Sequence, residues 1–227
     1  GVDSFEATPG DRDLLLGLGG VDFILAGDRH DHVFGGGGAD SIRGGEGGDV
    51  FSGGPGGDKI DGGDGRDRIR GGPGDDTLFG GAGPNRIAGG RGEDTITGGD
   101  DRDRIGGGPG DDGIDAGGGH DSVSGGVGRD SIVGGDGRDR INGGPGNDRL
   151  GGGEGRDIIA GGPGDDTISG GPGLDLILAG RGNDTVLAAD GQSDWVSCGP
   201  GKDKYTADPQ DHVAKDCELQ ISLDVAP

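Results

Sequence analysis

With 227 residues, 27% of them hydrophobic and only 3% aromatic, the chain has too little apolar material for an ordinary core, and its formal net charge of −23 repels nucleic acid and anionic membrane. Gly supplies 64 residues, a composition that would mean disorder if it were scattered at random. No apolar run approaches the roughly 20 residues needed to span a bilayer, so the expected partners are cations rather than nucleic acid or lipid.

Residues 1–7 form a short N-terminal segment whose large apolar residues are Val2 and Phe5. No basic-then-apolar leader stands there, so a signal peptide, had there been one, is expected to be already removed. From Thr8 to Leu187 the chain divides into twenty nonapeptides without an insertion. Gly53–Phe79 shows the plan: GGPGGDKID, GGDGRDRIR, GGPGDDTLF. The sixth position is Asp in nineteen of the twenty, Asn85 being the exception, and the eighth is apolar in all, from Leu15 and Ile24 to Ile177 and Val186. A disordered chain has no reason to keep such a register. A second period of 18 is superimposed: units starting at Gly53, Gly71, Gly107, Gly143 and Gly161 read GGPG, whereas those at Gly62, Gly134 and Gly152 read GGDGRD or GGEGRD. Two units per coil are therefore expected. Within each unit, six Gly- and Asp-rich residues suit a tight turn, and three, such as Thr77-Leu78-Phe79, make a minimal strand with its middle side chain inward. The recurring Gly excludes long helices. The first two units also carry Leu14, Leu16, Phe23 and Leu25 at the seventh and ninth positions, which should face outward.

Such a coil needs help to stand. One buried aliphatic side chain per unit contributes roughly 1.5–3 kcal/mol, while ordering nine residues costs about 1–2 kcal/mol each. Stacking also sets like charges side by side, for example Asp58 beside Asp76. Positive charge must reach the turns, and hard divalent cations fit best: Ca2+ takes 6–8 oxygens in flexible geometry, which Asp carboxylates and Gly-rich carbonyls supply. Mg2+ demands stricter octahedra, and soft metals lack the His or Cys clusters they prefer.

Units such as GGPGDDTLF and GGDGRDRIR resemble the repeats-in-toxin (RTX) nonapeptide, a calcium-binding repeat. The resemblance implies an all-β fold, a right-handed parallel β-roll (β-solenoid) of about ten coils plus a C-terminal cap, with Ca2+ held between turns by the sixth-position Asp and loop carbonyls. On this chain it implies one ligand column of Asp22, Asp40, Asp58, Asp76, Asp94, Asp112, Asp130, Asp148, Asp166 and Asp184. The other holds Asp13, Asp31, Asp49, Asp67, Asp103, Asp121, Asp139, Asp157 and Asp175, interrupted at Asn85. Turns Ala26–Asp31, Gly80–Asn85 and Gly98–Asp103 lose a Gly or the Asp and are expected to be weak sites. The ceiling is about 18 calcium ions, whose 36 positive charges would carry the formal charge from −23 to +13.

Residues 188–227 break the repeat and read as a C-terminal cap, although Asp194/Val196 and Asp203/Tyr205 repeat the pattern imperfectly after one inserted residue. Cys198 and Cys217 are too far apart for a CxxC redox pair and read as a disulfide, which points to an oxidising compartment. Leu219, Ile221, Leu223 and Val225 alternate with polar residues as in a strand. Either that tail folds back as a cap, or it pairs with the first coil of a neighbour, a head-to-tail contact that does not close and gives a fibre. His30 and His120 read as exposed turn residues, and the repeated Arg66, Arg68, Arg102, Arg104, Arg138 and Arg140 as surface ladders. No Ser or Cys has a persuasive His/Asp partner, so no enzyme activity is expected. The sequence thus describes a secreted or extracellular calcium-binding structural protein of a bacterial-type cell surface or matrix, folded by Ca2+ and self-associating head to tail. The alternative is a monomeric calcium-dependent folding or adhesion module processed from a larger secreted protein.

Overall fold

The computed structural model describes residues 3–6 and 12–221. Among them the chain winds as an all-β parallel solenoid of two sheets, one of thirteen strands from Ser4–Glu6 to Leu219–Gln220 and one of twelve from Leu14–Leu16 to His212–Val213. Successive strands alternate between the sheets, and each pairs in parallel with the strand one coil on. Ile42 meets Ile60 and Ile60 meets Leu78 in the first sheet; Ile69 meets Ile87 and Ile87 meets Ile105 in the second. The 18-residue period is thus one coil, about 4.8 Å of rise.

The eighth-position side chains of both sheets point inward and stack as one narrow core, including Ile24, Phe51, Ile69, Leu78, Ile132, Ile159 and Val186. Strands longer than three residues arise because the ladder runs on into the Gly-Gly of the following turn. Lys59–Asp64 is one such strand, with Gly63 paired to Gly45. Turn backbones also bond coil to coil: the Gly56 N–H donates to the Pro73 carbonyl at 2.8 Å. Gly56 sits at φ 144°, in a region closed to most L-residues, and a Cβ there would run into the Gly38 carbonyl oxygen. Only two non-Gly residues among those described have positive φ, Leu18 (74°) and Arg29 (88°), both in the first three units, where the turn motif decays.

The solenoid does not stop at residue 187. Trp195–Ser197, Lys204–Thr206, His212–Val213 and Leu219–Gln220 add to the same two sheets, giving about twelve coils rather than ten. The inserted residue is absorbed in the turn, so Leu176 pairs with Trp195, 19 residues on. Cys198 and Cys217 form a disulfide that ties these last coils together. Leu219–Gln220 pairs with Lys204–Tyr205 of its own chain, and the Ile221 N–H donates to the Tyr205 carbonyl at 2.8 Å. Leu223 and Val225 lie outside the described residues. At the other end Ser4–Glu6 pairs with Phe23–Leu25, and Phe5 packs against the core. No helix among the described residues is long and apolar enough to cross a membrane.

Candidate calcium columns

The sixth position of each unit is where turn becomes strand, and there the backbone aims the side chain inward beneath the Gly that opens the turn. The consequence is two columns of buried aspartates. Every expected ligand from Asp22 to Asp184 is at most 2% exposed, Asn85 standing among them. Each side chain makes the same bond: Oδ1 accepts the backbone N–H of the aspartate one coil earlier, or for Asp103 that of Asn85. Asp58 accepts from Asp40 at 2.8 Å and Asp76 from Asp58 at 2.7 Å; in the other column Asp67 accepts from Asp49 at 2.8 Å and Asp121 from Asp103 at 2.6 Å. The carboxylates therefore act first as structural acceptors that link coils, a role not visible in the repeat motif.

The second oxygen is different. Oδ2 of all eighteen, Asp22 through Asp184, is buried without a hydrogen-bond partner. Asp194 and Asp203 behave identically, with Oδ1 accepting from Asp175 and Asp184 and Oδ2 left alone. They extend the columns beyond the expected residues, and their D-x-apolar spacing was the available signal. Asp211 and Glu218 close the columns, accepting from the N–H of Asp194 and Asp203.

Burial opposes charge on these groups. Desolvation first, then the like charges one coil away, pushes Asp76, Asp112, Asp166 and Asp175 up to about 7; Asp103 also reaches about 7, with Asp121 and Asp101 as its charged neighbours. The same desolvation raises Asp49, Asp58, Asp121, Asp130 and Asp194 to about 6, against the pull of the donated backbone N–H. A lone buried oxygen anion has to be protonated or compensated.

Asn85 shows what surrounds the free oxygen. Its Oδ1 accepts the Asp67 N–H as an aspartate would, while its Nδ2, in the place of Oδ2, donates to the Gly81 carbonyl at 3.5 Å. The position thus faces a turn carbonyl, which suits a donor or a cation and not a carboxylate alone. Among the described residues no three His, Cys, Asp or Glu side chains gather into a metal-holding group. An ion between successive turns would therefore take its remaining oxygens from backbone carbonyls, a donor set matching calcium and excluding soft metals. The turns expected to be weak keep their carboxylates in line at Asp31 and Asp103, but their outer residues are rearranged: His30 Nδ1 accepts the Gly48 N–H at 2.7 Å, and Asp101 accepts that of Gly83 at 2.8 Å. His30 and His120 are both exposed.

The family described as RTX calcium-binding nonapeptide repeat (4 copies) matches residues 16–51, 52–87, 79–114, 115–150 and 151–186, well over half of the chain. The chain belongs to this family. It is accordingly a calcium-binding β-solenoid that takes multiple calcium ions. Among solved structures it is similar to a hyperactive, Ca2+-dependent, β-helical antifreeze protein from an Antarctic bacterium, with 22% identity and a TM-score of 0.75 over 96% of this chain and 82% of that one. No curated protein matches. The RTX repeats carry both columns, and the disulfide-linked coils beyond residue 186 lie outside the matched segments.

Proposed function

We propose that this RTX protein is a secreted, non-catalytic structural rod whose coils are locked together by Ca2+ held along the two aspartate columns, from Asp22 to Asp184. The observation that carries the reading is the buried Oδ2 repeated at every coil without a partner. When bound, the ion supplies the positive charge that a stack of buried carboxylates lacks. The residues supply the rest: Oδ1 holds the register through the backbone N–H of the coil before, Oδ2 faces the ion, and the turn carbonyls complete the oxygen set. In the absence of calcium each coil carries an uncompensated buried charge on each column, so the fold is expected to be lost at neutral pH and regained at extracellular millimolar Ca2+. The disulfide supports secretion into an oxidising compartment.

Circular dichroism of the stripped protein, followed by titration with Ca2+, tests this. Loss of the β signal in EGTA and cooperative recovery on adding calcium are expected; an unchanged signal in EGTA would sink the reading.

A finer reading is end-to-end assembly into an extracellular filament or matrix. Its support is apolar exposure near both ends: Leu14, Leu18 and Phe23 in the first coils, Trp195 and Leu219 in the last. The competing reading is a monomeric module. The antifreeze activity named for the solved relative is not carried over, because likeness at 22% identity speaks for the fold.

A further inference from the structure

The strongly acidic rod carries a basic groove. In the turns that lead from the thirteen-stranded sheet to the twelve-stranded one, the fifth position places Arg66, Arg102, Arg138 and Arg156 in a row. Beside it, the seventh position of the adjoining strands places Arg68, Arg86, Arg104 and Arg140 in a second row, paired coil to coil with Ser122 in the one gap. The two rows border adjacent concavities of about 410 and 810 Å³ that share Arg102 and Arg140, so the groove is continuous, and it runs to Leu176 and Trp195. All eight side chains are exposed, and among the described residues none of their guanidinium groups forms an ion pair. Column carboxylates such as Asp103, Asp121 and Asp139 line the floor. Exposed Asp64, Asp100, Asp136 and Glu154 stand two residues before Arg66, Arg102, Arg138 and Arg156 in the same turns, and Arg102 acts electrostatically on Asp121, yet none of them closes an ion pair with the arginines, so the guanidinium heads remain open to an external anion.

We propose that this groove binds a linear carboxylated polysaccharide along the rod axis. Spacing decides among polyanions. Within a row the arginines recur at one or two strand-to-strand steps, about 4.8 Å each. A linear uronate chain offers one carboxylate per sugar and a pyranose residue advances by nearly one such step, so carboxylates on one side of an extended ribbon recur at about two steps, the interval of Arg66 to Arg102, Arg102 to Arg138 and Arg104 to Arg140. An extended acidic peptide presents side chains on one face only every ~6.6–6.8 Å, and duplex DNA carries a charge per ~1.7 Å of axis, far denser than the rows. Single-stranded nucleic acid needs successive aromatic platforms for its bases, whereas of the aromatic rings lining the groove Trp195 lies at its end stacked on His212, and His120 stands alone in the middle with its Nδ1 accepting the Arg138 N–H at 2.9 Å. Each guanidinium fork matches a carboxylate bidentately, and Ser122 supplies a hydroxyl partner in the lining, while the Ser193 hydroxyl donates to the Gln210 carbonyl at 2.8 Å. The inference rests on the calcium-locked rod, because only stacked coils align the rows.

The test is isothermal titration calorimetry of the full chain in excess calcium and about 0.15 M NaCl, against oligogalacturonate, its methyl ester and a single-stranded oligodeoxynucleotide. Oligogalacturonate should bind and the ester should not. Replacing Arg102, Arg104, Arg138 and Arg140 by Ser, the residue already present at position 122, should weaken binding about tenfold or more, whereas Arg129→Ser with Arg181→Ser on the opposite edge should leave it unchanged. Circular dichroism of each variant checks folding, and Arg140→Ser alone, expected to weaken binding measurably, serves if the quadruple variant does not fold. The proposal is overturned by absence of binding, by equal binding to the groove variants (the mark of calcium bridging alone), by tighter binding of the oligonucleotide, or by a dimer in sedimentation that the groove variants dissolve. A β signal that persists in EGTA would overturn the calcium-folding reading while leaving the glycan result to stand or fall by itself.

Discussion

Each sixth-position aspartate commits one carboxylate oxygen to its own chain and leaves the other buried and alone, and that division makes two opposite demands on the same residue. Asp112 illustrates it: Oδ1 accepts from Asp94 at 2.9 Å and Oδ2 has no partner. Asp112→Asn should keep the first bond and satisfy the second position from a turn carbonyl, as Asn85 does. We expect the variant to stabilise the calcium-free protein by about 1–3 kcal/mol, since an unsatisfied buried group is removed, and to bind fewer calcium ions than the wild type. Urea denaturation in EGTA at about pH 5, where the raised pKa values keep most column carboxyls protonated, and calorimetric stoichiometry in calcium check the two signs, and a destabilised calcium-free variant would contradict the account. The raised pKa values set a pH dependence for the stripped protein. A carboxyl whose folded value exceeds its unfolded one contributes stability that is complete below the unfolded value, ~3.9, and lost as pH rises through the folded one. For Asp76, Asp103, Asp112, Asp166 and Asp175 that loss centres at about 7. Stripped protein should therefore show more β signal by circular dichroism at pH 5 than at pH 8, with calcium affinity changing in the opposite sense; a stronger signal at pH 8 would refute this.

At the scale of the coil, the turn and the strand are one hydrogen-bonded unit repeated along the axis, so a coil is stabilised by its neighbours more than by itself. The first and last described coils have a described neighbour on one side. At the C-terminal end the strands shorten to two residues, His212–Val213 and Leu219–Gln220, and the Cys198–Cys217 disulfide does what stacking does elsewhere. Replacing both cysteines by serine should cost about 3 kcal/mol for a loop of this length. The loss is expected to be local: hydrogen exchange should quicken at Lys204–Thr206 and Leu219–Gln220 and leave Ile60 and Ile69 in mid-rod protected. Uniform acceleration along the rod would show that the end governs the whole.

At the scale of the molecule, the solenoid is a rod of about 55–60 Å from about twelve coils, with Leu18 at 80% and Leu14 at 65% exposure near one end and Trp195 at 59% near the other. If the rods join end to end, electron micrographs in calcium should show filaments that vanish when Glu218–Pro227 is deleted. Filaments that persist after the deletion would exclude the tail as the joint, and a 22.2 kDa species in sedimentation would favour the monomeric module.

Much of this was legible in the chain itself, because a strict period constrains every unit alike. The alternation of turn and strand, the inward row from Ile24 to Val186 and the two columns from Asp22 to Asp184 follow from position in the nonapeptide, and the pairing of Cys198 with Cys217 from their being the chain's two cysteines without CxxC spacing. What the period cannot say is how a side chain divides its atoms between neighbours. Only stacking decided that Oδ1 binds the previous coil and Oδ2 is left buried without a partner. Stacking carried Asp194 and Asp203, whose spacing the sequence already showed, into the columns beyond an insertion, and it joined the expected arginine ladders, with Arg86 and Arg156 added, into one groove. The sequence by itself determined the coil, since a repeating local pattern has one repeating local solution. The tertiary structure decided the charges, because Gly53–Phe79 and its neighbours acquire a buried anion and an exposed cation row only when coils 18 residues apart come within one strand spacing of each other.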